Sequence, residues 1–200
     1  MSLRSRPPGA GNPMEAFLTS TLLVAIAEIG DKTMLLAIVL ATRFRKPLPI
    51  SLGILVATLA NHALAALAGH AAASVLESAA FQIGVALSFI ARALWTLVPD
   101  ELDQEGEPKP LGSVFLTTAA AFFLVEMGDK TQIVTVALGA QFPGVWLVAA
   151  GTTTGMMLAN VPAVLLGNAL VQRFSLKAVR IAAAASFAAA GLWMLVEALG

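Results

Sequence analysis

Cysteine is missing from all 200 residues, which removes disulfides, thiolate metal sites and thiol nucleophiles together. Charge is nearly as scarce. Asp, Glu, Lys and Arg make up 12% of the chain, against roughly 25% in ordinary soluble domains. Twelve basic and twelve acidic residues cancel, and no basic stretch stands out, so nothing here fits a nucleic-acid partner. There is no G-x-x-x-x-G-K-[ST] phosphate loop, so nucleotide hydrolysis is not the expected energy source. The first long apolar segment lacks a small-residue cleavage site followed by polar sequence, and it is expected to be retained. What the chain has instead is hydrocarbon. It is 58% hydrophobic with a mean hydropathy of +0.84, above the about 45–50% apolar content of soluble domains. The expected class is an all-α, polytopic membrane protein with the lipid bilayer as its surroundings. It is not expected to be an enzyme.

Six apolar stretches are each long enough to cross about 30 Å of hydrocarbon. They run over Glu15–Ala41, Pro49–Ala71, Ala79–Val98, Gly112–Ala140, Gly144–Val171 and Ala178–Leu199. The expected organisation is an extramembrane tail (1–14), a first three-helix repeat (15–98), a central loop (99–111) and a second repeat (112–200). Asp100, Glu101, Asp103, Glu105 and Glu107 make that loop the acidic one. Its plain reading is a hydrophilic linker; the alternative is a metal-concentrating or regulatory loop. Cations sit after the first stretch (Arg43, Arg45, Lys46), in the central loop (Lys109) and around the fifth connection (Arg173, Lys177, Arg180). The positive-inside rule puts those three loops in the cytoplasm and both termini on the other side, with Arg4 and Arg6 weighing against it. A bacterial cytoplasmic membrane is the expected location.

The halves repeat. At an offset of 98, Glu28-Ile29-Gly30-Asp31-Lys32-Thr33 falls on Glu126-Met127-Gly128-Asp129-Lys130-Thr131. Ser88-Phe89, Leu94-Trp95 and Leu97-Val98 fall on Ser186-Phe187, Leu192-Trp193 and Leu195-Val196 at the same offset. Leu59-Ala60-Asn61 matches Leu158-Ala159-Asn160 with a shift of one. An odd number of spans per copy sets the two copies in opposite orientations, the inverted-repeat plan of secondary transporters.

Glu28 and Glu126 each lie in the middle of a span. An ionised side chain there costs at least ~2.5–3.5 kcal/mol on insertion scales, so the acids need an internal reason. On a continuous helix, i, i+3 and i+4 share a face, which projects Glu28, Asp31 and Lys32 together, and likewise Glu126, Asp129 and Lys130. Gly30 and Gly128 serve either close helix packing or a local break that frees backbone carbonyls. Ion pairs that only lock helices together are the bland reading, and doubling of the motif argues against it. Four converging carboxylates, Glu28, Asp31, Glu126 and Asp129, are the expected metal ligands. Oxygen donors without thiolate suit Mn²⁺, Ca²⁺ or Mg²⁺ rather than Zn²⁺ or Cu⁺. Asn61 and Asn160 offer amide oxygens or else interhelical hydrogen bonds. Gln132 lies on the acidic face where the first copy has Met34. Thr33 and Thr131 are expected to point away from the glutamates and to cap any break.

Weaker signals complete the inventory. His62 is read as a proton relay or a packing histidine, and Arg92 as a snorkelling side chain or a counter-charge to an empty acidic site. Trp95 and Trp193 read as interfacial anchors and Pro162 as a kink. Thr152, Thr153 and Thr154 line a path or bond back to their own helix.

The doubled E-x-G-D-K-T motif in a duplicated six-span chain closely resembles the Gdt-one family of divalent-cation/proton exchangers, long catalogued as uncharacterised protein family sixteen within the lysine-exporter superfamily. The resemblance covers nearly the whole chain after residue 14. It implies ion binding by Glu28, Gly30, Asp31, Lys32 and Thr33 with Glu126, Gly128, Asp129, Lys130 and Thr131, and transport of Mn²⁺ or Ca²⁺. Gln132 follows the family pattern; Met34 and Arg92 depart from it. The expected function is export of a divalent cation in exchange for protons, with metal and proton as substrates and no resident cofactor. The rivals are an exporter of amino acids or small organic cations, and a scaffold whose charges only lock helices. Ion preference, proton stoichiometry and a homo-oligomeric state are left open.

Overall fold

Helices account for the ordered architecture of this computed structural model, which describes residues 12–75, 79–98, 110–166 and 176–199. They are α1 (Pro13–Glu28), α2 (Lys32–Phe44), α3 (Pro47–Val75), α4 (Ala79–Thr96), α5 (Val114–Glu126), α6 (Lys130–Gln141), α7 (Val145–Leu166) and α8 (Leu176–Leu199). No strand occurs among the described residues. The expected tail up to residue 11 and residues 99–109 of the acidic loop lie outside them.

Among the described residues, three helical segments are long and apolar enough to cross a bilayer: Pro47–Ala73 in α3, Ala79–Thr96 in α4 and Val145–Leu166 in α7. Two expected spans, the first and the fourth, are not single helices. Each stops at its motif glutamate and restarts at its motif lysine. Local chemistry accounts for this. Gly30 and Gly128 sit at φ of 85° and 80°, a left-handed conformation in which a side chain is strained. Asp31 and Asp129 then act as N-caps, Asp31 Oδ1 accepting from the Lys32 N–H at 2.9 Å and Asp129 Oδ2 from the Thr131 N–H at 3.4 Å. The shared-face argument for Glu28, Asp31 and Lys32 therefore fails, because no continuous helix joins them.

Packing follows the duplication. The first helix of each half lies against the long helix of the other, α1 on α7 and α5 on α3, while α4 pairs with α8. Gly151 abuts Phe17 and Ser20, and Gly53 abuts Phe115 and Thr118. Every residue of the second contact differs from its partner in the first by 98, so the two interfaces are equivalent. Phe89 and Phe187, also 98 apart, meet edge to face at 6.0 Å between α4 and α8.

Polarity is inside out. Glu28, Asp31, Asn61, His62, Arg92, Glu126, Asp129, Lys130 and Asn160 are buried, whereas Leu52, Val56, Leu59, Leu64 and Leu67 of α3 face outward. A lipid-facing surface needs apolar side chains, and helices satisfy their own backbone groups, so this is the burial of a multi-pass membrane protein.

Candidate cation site

Both helix breaks deliver their acids to one place. Glu28, Asp31 and Asp129 are all buried, and each offers a carboxylate oxygen within 4.8 Å of the others. Two come from the first motif and one from the second. Glu28 Oε2 accepts from Thr33 Oγ1 and Oε1 from Thr131 Oγ1, each at 2.5 Å. Lys32 Nζ reaches across to Asp129 Oδ1 at 2.9 Å. The motifs thus interlock: a lysine of the first holds an aspartate of the second, and a threonine of the second holds a glutamate of the first. Helix ends add to this, since α2 and α6 begin here with their positive N-termini.

Several expectations change. Thr33 and Thr131 do not point away from the glutamates; both donate to Glu28, and the break is capped by the aspartates. Lys32 pairs across the motifs, with Asp129 of the second. Lys130 is buried, its ammonium 5.6 Å from the Trp95 ring centroid. Glu126 is fully buried but is not one of the three clustered acids. It faces His62, whose Nε2 lies 3.6 Å from Glu126 Oε2. Neither Glu126 oxygen and neither His62 nitrogen has a hydrogen-bond partner among the described residues.

The supporting residues divide. Asn61 Nδ2 donates to the Phe123 carbonyl of α5 at 3.0 Å, which is the interhelical bond. Asn160 Nδ2 donates within its own helix to the Met156 carbonyl at 3.1 Å, leaving Oδ1 buried with no partner among the described residues. Gly155 packs on Thr21, Val24 and Ala25 one turn after Gly151 packs on Phe17 and Ser20. α7 therefore runs parallel to α1, and Asn160 falls near the level of Glu28. Gln132 Oε1 accepts from the Gly128 N–H at 2.6 Å, so it closes the second break. Thr152 and Thr154 bond back to their own helix, while the buried Thr153 hydroxyl does not.

Arg92 is the residue that the motifs did not indicate. It is 3% exposed and does not reach the surface, so it is no snorkelling side chain. Its Nη2 lies 3.8 Å from Asp31 Oδ2 and its guanidinium 5.2 Å from the Phe187 ring centroid. A signal was available. His62 and Arg92 are polar where the other half has Val161 and Ala190, and both turn inward onto an acid.

The comparisons agree with the duplication. The family model for the divalent cation/proton antiporter GDT1 matches residues 16–104 and again 114–200. A protein of Vibrio cholerae, provisionally named a manganese exporter, is 45% identical over 176 residues, 87% of each chain. A GDT1-like protein of Synechocystis is 30% identical over 189 residues, 84% of this chain and 90% of its own length. No solved structure gives a significant match.

Proposed function

The chain belongs to the GDT1 family of divalent cation/proton antiporters, and we propose that it exports Mn²⁺ from the cytoplasm in exchange for protons. One observation carries the reading: three buried carboxylates drawn from both motifs stand with oxygens within 4.8 Å of one another. Oxygens bound to a single cation at roughly 2.3–2.6 Å are separated by up to about 5 Å, so the group is the size of one ion's shell. An organic cation or amino acid needs a wider space between its anchors. Oxygen-only donors accept Ca²⁺ as a second cargo, and the relative named for manganese favours Mn²⁺ as the first.

Coupling follows from competition. Metal binds the deprotonated oxygens, so protons and metal exclude each other there, and a proton gradient displaces metal without a second site. In this reading the six expected spans form two inverted repeats in a bacterial cytoplasmic membrane, both termini outside. The breaks at Gly30 and Gly128 supply the midplane site around which the halves rock. The central test uses purified protein in proteoliposomes. An imposed pH gradient with no metal gradient should drive Mn²⁺ movement, and binding of Mn²⁺ in weakly buffered detergent should release protons. Mn²⁺ binding without proton release, together with flux indifferent to the pH gradient, would overturn the exchange.

A further inference from the structure

We propose that Arg92 is a tethered counter-ion: it takes the metal's place at Asp31 when the site is empty, and thereby sets how readily cargo is released. The inference rests on the cation-export reading above. Its ground is the way the three clustered acids are held. Glu28 is satisfied by two threonine hydroxyls. The two aspartates are instead faced by cations, Asp129 by Lys32 at 2.9 Å and Asp31 by Arg92 at 3.8 Å. Tethered positive charge thus stands at two carboxylates of the cluster that would bind an ion.

Arg92 is suited to yield its place. At 3.8 Å its Nη2 is an ion pair but stands beyond hydrogen-bond length from Asp31. Nε and Nη1 have no hydrogen-bond partner among the described residues, so no network fixes the fork. The guanidinium also stands over the Phe187 ring, 5.2 Å from its centroid, a cation–π contact that can hold it when a dication displaces it from Asp31. A guanidinium stays charged throughout, so it competes with metal without taking part in proton exchange. Because Arg92 is on α4 and Phe187 on α8, occupancy of the site is also read by the α4–α8 pair. The equivalent position in the second half is Ala190, so the device exists once.

The test compares wild type with Arg92→Ala, Arg92→Gln and Arg92→Lys as full-length purified protein, at mildly alkaline pH where protons compete little. If Arg92 covers Asp31 in most empty molecules, Arg92→Ala and Arg92→Gln should bind Mn²⁺ about tenfold tighter, as removal of a competing state requires. In proteoliposomes net Mn²⁺ efflux should fall more than Mn²⁺/Mn²⁺ exchange, in which the carrier reorients only with metal bound. Arg92→Lys should return both towards wild type. Arg92→Gln keeps bulk and polarity and decides the matter if Arg92→Ala does not insert. Unchanged or weaker binding, with both fluxes falling together, would overturn the proposal and leave Arg92 a packing residue. Absence of Mn²⁺ binding by wild type would instead sink the export reading, and this inference with it.

Discussion

Thr131 shows how much a single hydroxyl joins. It belongs to the second motif, yet its hydroxyl donates to Glu28 of the first, 103 residues earlier. Thr131→Val keeps the shape and removes the donor. A buried charged acceptor that loses one donor costs about 1–3 kcal/mol, so Mn²⁺ affinity should fall roughly tenfold or more by calorimetry. Thr131→Ser should restore most of it; equal affinity for Thr131→Val would mean the hydroxyl only packs. The carboxylates should separate in the same assay. Glu28→Gln, at the centre of the cluster, should abolish binding, whereas Glu126→Gln, which faces His62, should weaken it less. The reverse ranking would place the ion beside Glu126. Lys32→Ala should be milder than Glu28→Gln, because a lysine cannot ligate metal. None of these partners was legible in the spacing of one motif, since they depend on where the other copy lies.

At the scale of the element, the glycines decide. Gly128 at φ of 80° has open space where a Cβ would stand, so Gly128→Ala is opposed by backbone strain alone. A left-handed non-glycine residue costs about 1–2 kcal/mol. The expected result is a protein that inserts but loses a few degrees of melting temperature and most of its transport. Gly139 is different. A Cβ there would come 2.4 Å from the Ala66 carbonyl, and backbone cannot move aside as a flexible side chain can. Gly139→Val should drive α6 away from α3 and fail to give a monodisperse protein in detergent. Clean behaviour of that variant would refute the close crossing. The sequence offered the break as one of two roles for Gly30 and Gly128. It could not choose, because close packing and a left-handed turn both select glycine.

For the whole molecule, the proposed exchange makes competition between metal and proton the source of a pH dependence. Carboxylate oxygens bind metal only when deprotonated, so apparent Mn²⁺ affinity should weaken steadily as pH falls. Titrations at several pH values check this, and a flat profile would detach metal binding from proton exchange. Orientation is testable because the chain has no cysteine. A cysteine introduced between Pro99 and Leu111 should be shielded from an impermeant thiol reagent in intact cells, and one after Leu199 should be labelled. The opposite pattern would reverse the orientation while leaving the duplication intact.

By itself the sequence determined the membrane class, the helical content, the duplication and the motif residues. Those follow from composition and from in-register polar residues that a bilayer does not tolerate by chance. Tertiary structure alone decided which acids meet. The breaks at Gly30 and Gly128 turn each aspartate into a helix cap, so three carboxylates cluster and Glu126 lies against His62. It also decided that Lys32 and Thr131 reach across to the other repeat, and that Arg92 stays inside. Sequence patterns report periodicity along one helix. The site lies at the junction of two interrupted helices, where the relevant neighbours are about a hundred positions apart and their directions are set by packing.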